Sequence, residues 1–99
     1  MRPAYLLVLC LISLSSNASG EEGLASYYGY GKGGRADMTC AHRTRPFGSI
    51  VTVSYGGRSI RCRVADRGPF IKGRIIDLSA DAARALGMMS AGVVRVSVN

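Results

Sequence analysis

The sequence predicts a small, mainly β domain closed into a barrel, with one short helix. Three observations predict it. Short stretches at Ile50–Tyr55, Arg58–Val64 and Gly92–Val98 alternate apolar and polar residues, the period-2 signature of strands with one face buried. Glycine corners separate these stretches, and only Ser79–Leu86 carries helical spacing. A sheet this small protects its edges best by closing on itself.

The chain of 99 residues opens on a leader. Met1-Arg2 supplies a positive start, Ala4 to Leu14 is almost wholly apolar, and small residues follow from Ser15 to Gly20. That order predicts a secretory signal peptide over residues 1–18, with Ser16-x-Ala18 as the cleavage site. The apolar run is too short to span a bilayer, and nothing later resembles a membrane segment. Residues 19–99 then form one domain of roughly 80 residues, near the lower limit for a self-sufficient core. Leu24–Gly29 reads as a first short strand, and Gly31–Arg35 as a basic, glycine-rich loop.

Ile50–Tyr55 and Arg58–Val64 flank Gly56-Gly57, a two-residue turn favoured in hairpins. Such a loop sets Tyr55 opposite Arg58, Val53 opposite Ile60 and Val51 opposite Cys62. The Val51, Val53, Ile60 and Cys62 side chains share the inner face, while Arg61 and Arg63 point out. Cys62 therefore lies among aliphatics, where Cys40 can meet it from the loop before the hairpin. The export signal and the register each predict a Cys40–Cys62 disulfide; two buried thiols are the alternative. Ile75-Ile76 is a further apolar run, leading to Asp77. Ser79 is placed to cap a helix that buries Ala82, Ala83 and Leu86 and stops at Gly87. The last strand turns Val94, Val96 and Val98 inward.

The formal charge of +7 falls to +6 once Arg2 leaves with the leader. The basic residues are dispersed, with no basic helix or aromatic–basic motif, so nucleic acid is not expected as a partner. A basic exported domain is drawn to anionic envelope polymers, or simply carries a solvated surface. No Ser-His-Asp order, nucleophile elbow, P-loop or dinucleotide fingerprint is present. Cys40, His42, Cys62 and an aspartate do not follow a standard zinc spacing, so neither metal nor cofactor is expected.

Two carboxylates remain, each where an apolar run ends: Asp66 before the Gly68-Pro69 corner, and Asp77 before Ser79. Paired carboxylates suit acid/base work on a sugar; a turn former and a cap neighbour are the alternative. Acid work near neutral pH calls for partial burial of Asp66. His42, the sole histidine, and Asp37 lie upstream, each compatible with a site role or a structural one. Tyr27 and Tyr28 can stack on sugar rings or pack a barrel end.

Ala25-Ser26-Tyr27-Tyr28-Gly29, Ala41-His42-Arg43-Thr44 with Pro46-Phe47-Gly48, Asp66-Arg67-Gly68-Pro69-Phe70, and Gly73-Arg74-Ile75-Ile76-Asp77-Leu78-Ser79 follow in that order. With Ala82-Ala83 and Leu86-Gly87 they resemble the rare lipoprotein A (RlpA) family of bacterial envelope proteins, over nearly all of residues 19–99. The resemblance implies a six-stranded double-psi β-barrel, the fold of expansins. It implies an endolytic lytic transglycosylase acting on peptidoglycan glycan strands free of stem peptides, leaving 1,6-anhydro ends. By position Asp66 and His42 match family site residues, and Asp77 matches the carboxylate in the groove of expansin-like barrels. Asp37 completes the expected catalytic set, and Tyr28, Thr39, Arg67 and Arg74 the substrate-binding set. The expected protein is a monomer of the periplasm or cell envelope of a bacterium.

One stretch departs from the family pattern, which places T-A-N/S-G-E-x-F/Y-D before the histidine. Here Gly33-Gly34-Arg35-Ala36-Asp37-Met38-Thr39 is shorter and holds no glutamate. The alternative reading is therefore a non-catalytic, expansin-like module that binds peptidoglycan. A disulfide-stapled structural protein without glycan affinity is a third.

Overall fold

Two glycines in the left-handed region, Gly56 (φ 57°) and Gly57 (φ 84°), reverse the chain between its two longest alternating stretches. This is the geometry a two-residue hairpin loop requires. In the computed structural model, which describes residues 20–28 and 38–99, the hairpin joins β3 (Ile50–Tyr55) to β4 (Arg58–Asp66). Its register is the expected one: Tyr55 faces Arg58, Val53 faces Ile60 and Val51 faces Cys62. The leader expected over residues 1–18 and Asp37 lie outside the described residues.

The remaining elements are β1 (Glu21–Tyr27), β2 (Thr39–His42), β5 (Arg74–Leu78), α1 (Ala80–Leu86) and β6 (Val94–Val98). The six strands close into a barrel in the order β1-β5-β2-β4-β3-β6. The β1/β5 and β2/β4 pairs run parallel and the other four antiparallel. This is the small six-stranded double-psi barrel with one short helix. Val51, Val53, Cys62, Val64, Ile76, Leu78 and the three valines of β6 fill the interior, with Ala82, Ala83 and Leu86 of α1 packed against it.

Local chemistry bounds the helix as expected. The Ser79 hydroxyl accepts the Ala82 N–H, and Gly87 closes the last turn at φ 81°; a cap of this kind contributes about 1 kcal/mol. Gly23 answers to packing instead. A Cβ there would lie 2.6 Å from the Ile75 side chain, so only glycine lets β1 and β5 approach.

The clearest differences from the sequence reading lie in β2 and β1. Cys40 does not lie in a loop. It belongs to β2, between β4 and β5, and all four β2 residues are buried. Four residues are too few to display a period, and burial on both faces removes the alternation. The first strand starts at Glu21, earlier than Leu24. The disulfide between Cys40 and Cys62 joins β2 to β4, with Cα atoms 5.9 Å apart.

Candidate active site

Ala41 is the middle of the site. On one side it pairs with Asp66 of β4, and on the other with Asp77 of β5, which in turn pairs with Ser26 of β1. Paired residues point to the same side of a sheet. Ala25, Cys40, Val64, Ile76 and Leu78 occupy the interior, so Ser26, Asp77, Ala41 and Asp66 form one row across the outer face of four adjacent strands. A register shift follows Cys40, which pairs with Val64, while Ala41 pairs with Asp66. The bulge absorbs Ala65 and turns Asp66 into the row. The two carboxylates stand two strand spacings apart, roughly 10 Å between their backbones.

The two acids have different surroundings. The Ser26 hydroxyl donates to Asp77 Oδ1 at 2.8 Å, and Asp77 is half-buried. Asp66 Oδ1 accepts the Arg67 N–H at 2.8 Å, and the residue is exposed. The partial burial expected for Asp66 is thus not present in the free chain. One carboxylate is held in place and the other is free to meet a ligand.

Thr39 flanks the row, two residues along β2 from Ala41 and so on the same face, and Tyr28, just past the end of β1, stands beside it. Their hydroxyls lie 3.0 Å apart. The Tyr28 N–H donates to the Leu78 carbonyl at 2.9 Å, and Ser79 and Thr39 exchange backbone and hydroxyl bonds. The helix cap therefore also braces this edge of the site.

His42 is buried and fully engaged. Its Nδ1 accepts the backbone N–H groups of Thr44 and Arg45, both at 3.1 Å, so the ring proton sits on Nε2. That nitrogen donates to Glu21 Oε1 at 2.8 Å, and Arg45 Nη2 reaches the same oxygen at 3.3 Å. Glu21 and His42 carry the inward parity of β1 and β2 and meet at the barrel end, beside a small cleft of about 150 Å³. Among the described residues no hydrogen bond joins His42 to Asp66.

The arginines serve the loops around the row. Arg67 Nη1 donates to the His42 and Arg45 carbonyls at 3.0 and 2.7 Å, and its guanidinium lies 3.9 Å from the Phe47 ring centroid. Arg43 ties the Pro69 and Arg74 carbonyls at 2.8 Å each. Arg74 opens β5 three residues before Asp77, roughly 10 Å along the strand. Sequence reasoning missed two partners. Ser26 lies within the Ala25–Gly29 motif, which assigns it no role, and Glu21 falls outside a strand begun at Leu24. A carboxylate on the inward parity of a strand, with one histidine in the chain to meet it, was the available signal.

Residues 20–98 match the family model described as lytic transglycolase. The "Probable endolytic peptidoglycan transglycosylase RlpA" of Nostoc sp. is 47% identical over 91 residues, a match covering 78% of this chain and 24% of that protein. The chain thus spans about a quarter of the length of that curated relative. Among solved structures, an expansin of Clavibacter michiganensis superposes with a TM-score of 0.69 at 25% identity, over 82% of this chain and 50% of its own. The Streptomyces papain inhibitor superposes with a TM-score of 0.64 at 30% identity, over 82% of this chain and 93% of its own. The row of acids therefore lies on a barrel whose sequence, from its first strand to its last, places the chain in the lytic transglycolase family.

Proposed function

We propose that this domain is an endolytic lytic transglycosylase acting on naked peptidoglycan glycan strands in the bacterial cell envelope, after export by the leader. The observation that carries the reading is the Ser26–Asp77–Ala41–Asp66 row, with Tyr28 and Thr39 at its edge. Family membership and the named activity of its relatives support the same reading. Asp66, exposed in the free chain, is buried by the bound strand and gives its proton to the glycosidic oxygen. The C1–O bond breaks and the leaving strand departs as an alcohol. Asp77, held by Ser26, faces the positive charge that develops at C1. The sugar's own 6-hydroxyl then attacks C1 and passes its proton to the Asp66 carboxylate. The acid is restored, no water is consumed, and the product ends in a 1,6-anhydro sugar. Tyr28 and Thr39 flank the bound strand, and Arg67 shapes the loop beside it.

The second reading is a non-catalytic glycan-binding module. The exposure of Asp66 and a Gly33–Thr39 stretch without glutamate favour it. Mass spectrometry of denuded strands incubated with the disulfide-bonded protein, beside an Asp66→Asn variant, separates the two. Anhydro-ended fragments from the native protein alone are expected. Intact strands that co-sediment with the protein would instead establish the binding module.

A further inference from the structure

On the far side of the barrel, the outer faces of β1, β6, β3 and β4 carry a second polar row. Glu22 of β1 pairs with Ser97 of β6, Ser97 with Ser54 of β3, and Ser54 with Ser59 of β4. The Ser54 and Ser59 hydroxyls are 2.8 Å apart. This row lines an open cleft of about 440 Å³, within the size range of small-ligand sites. Half-buried Tyr55 and the hairpin turn form one wall.

Charge indicates what the cleft takes. Leu24 pairs with Arg95, so Glu22 and Arg95 are diagonal neighbours on one face, about 7–8 Å apart at their backbones. Both are exposed, and among the described residues neither forms an ion pair. Arg58 also lines the cleft, but its Nη1 donates to the Ala85 carbonyl at 3.3 Å. Arg95 and Glu22 are the charges left open, and across a hydroxyl floor they complement a ligand that carries both charges with amides between them. A simple polyanion would be repelled by Glu22, and a neutral sugar would use neither charge.

We propose that this cleft binds a short zwitterionic peptide, its carboxylate on Arg95 and its ammonium on Glu22, with the serine hydroxyls meeting its amides. A stem peptide of peptidoglycan, its N-terminus amide-linked to the strand, has this chemistry through its carboxylates and the side-chain ammonium of its diamino acid. Assigning the peptide to a stem rests on the wall-directed reading above, whereas the charge complementarity does not. A domain cleaving a naked strand on one face would thereby hold a neighbouring, peptide-bearing strand on the other.

The test is an NMR titration of the ¹⁵N-labelled, disulfide-bonded protein with N-acetyl-L-alanyl-γ-D-glutamyl-diaminopimelate, and with the form acetylated on the diaminopimelate side-chain amine as well. The expected result is saturable shifts at the Ser54, Arg95 and Ser97 amides, with affinity falling roughly tenfold or more in Arg95→Gln. Acetylating the side-chain amine should weaken binding to the native protein and add little in Glu22→Gln. Absence of shifts, shifts confined to Ala41 and Asp77, or binding indifferent to both substitutions would overturn the proposal. The same amides shifting instead with naked glycan would make the cleft a sugar site and also overturn it. Anhydro-end formation by Glu22→Gln and Arg95→Gln should equal that of the native protein, so failure here is distinguishable from failure of the catalytic reading.

Discussion

Ser26 holds Asp77 by a single hydroxyl at 2.8 Å. A hydrogen bond to a charged group contributes about 1.5–3 kcal/mol. Ser26→Ala should therefore slow anhydro-end formation by roughly 10–100-fold, while the melting temperature moves by only a few degrees. His42 predicts the opposite pattern. His42→Ala leaves the Thr44 and Arg45 N–H groups and half of Glu21's partners without a mate. Each hydrogen bond lost contributes about 0.5–1.5 kcal/mol net, so denaturant unfolding should show a loss of about 2–4 kcal/mol. The sequence could name His42 as the sole imidazole but not its bonds, because Glu21 lies 21 positions away and meets it only across the barrel end.

Among the elements, the β3–β4 hairpin was legible to the residue because its turn chemistry and its alternation are local. Helix α1 was legible for the same reason, from Ser79 at one end to Gly87 at the other. Strand β2 was not, since its four buried residues take their places from β4 and β5 rather than from a pattern of their own. The Cys40–Cys62 bridge ties β2 to β4 across a sequence separation of 22. Reducing it should remove about 3 kcal/mol of stability, read as a lower urea midpoint. The parallel β1/β5 contact predicts a second effect. Gly23→Ala would press a methyl into Ile75 and should cost about 1–3 kcal/mol by overpacking.

For the molecule as a whole, closure of the barrel is what turns separate motifs into a row. Asp66 and Asp77 sit on strands that never touch, and β2 between them sets their spacing. In the proposed mechanism both carboxylates act on one sugar, and Asp66→Asn should lower the cleavage rate by about 10²–10⁴-fold. Adding Asp77→Asn should then cost little more, since residues acting as a unit are not additive. Co-sedimentation of each variant with wall sacculi, measured in parallel, should persist.

The β3–β4 hairpin, the last strand, the helix, the inward face of Cys62 and the two acid-bearing motifs followed from residue order alone. Each depends on a period of two or four residues, or on the backbone freedom of one glycine. The pairing of Ala41 with both Asp66 and Asp77, the bulge that absorbs Ala65, and the joining of Glu21 to His42 came only with the closed barrel. These are contacts between residues far apart in the chain. Which strands become neighbours is decided by the joint burial of all six inner faces, a condition that no single stretch of sequence contains.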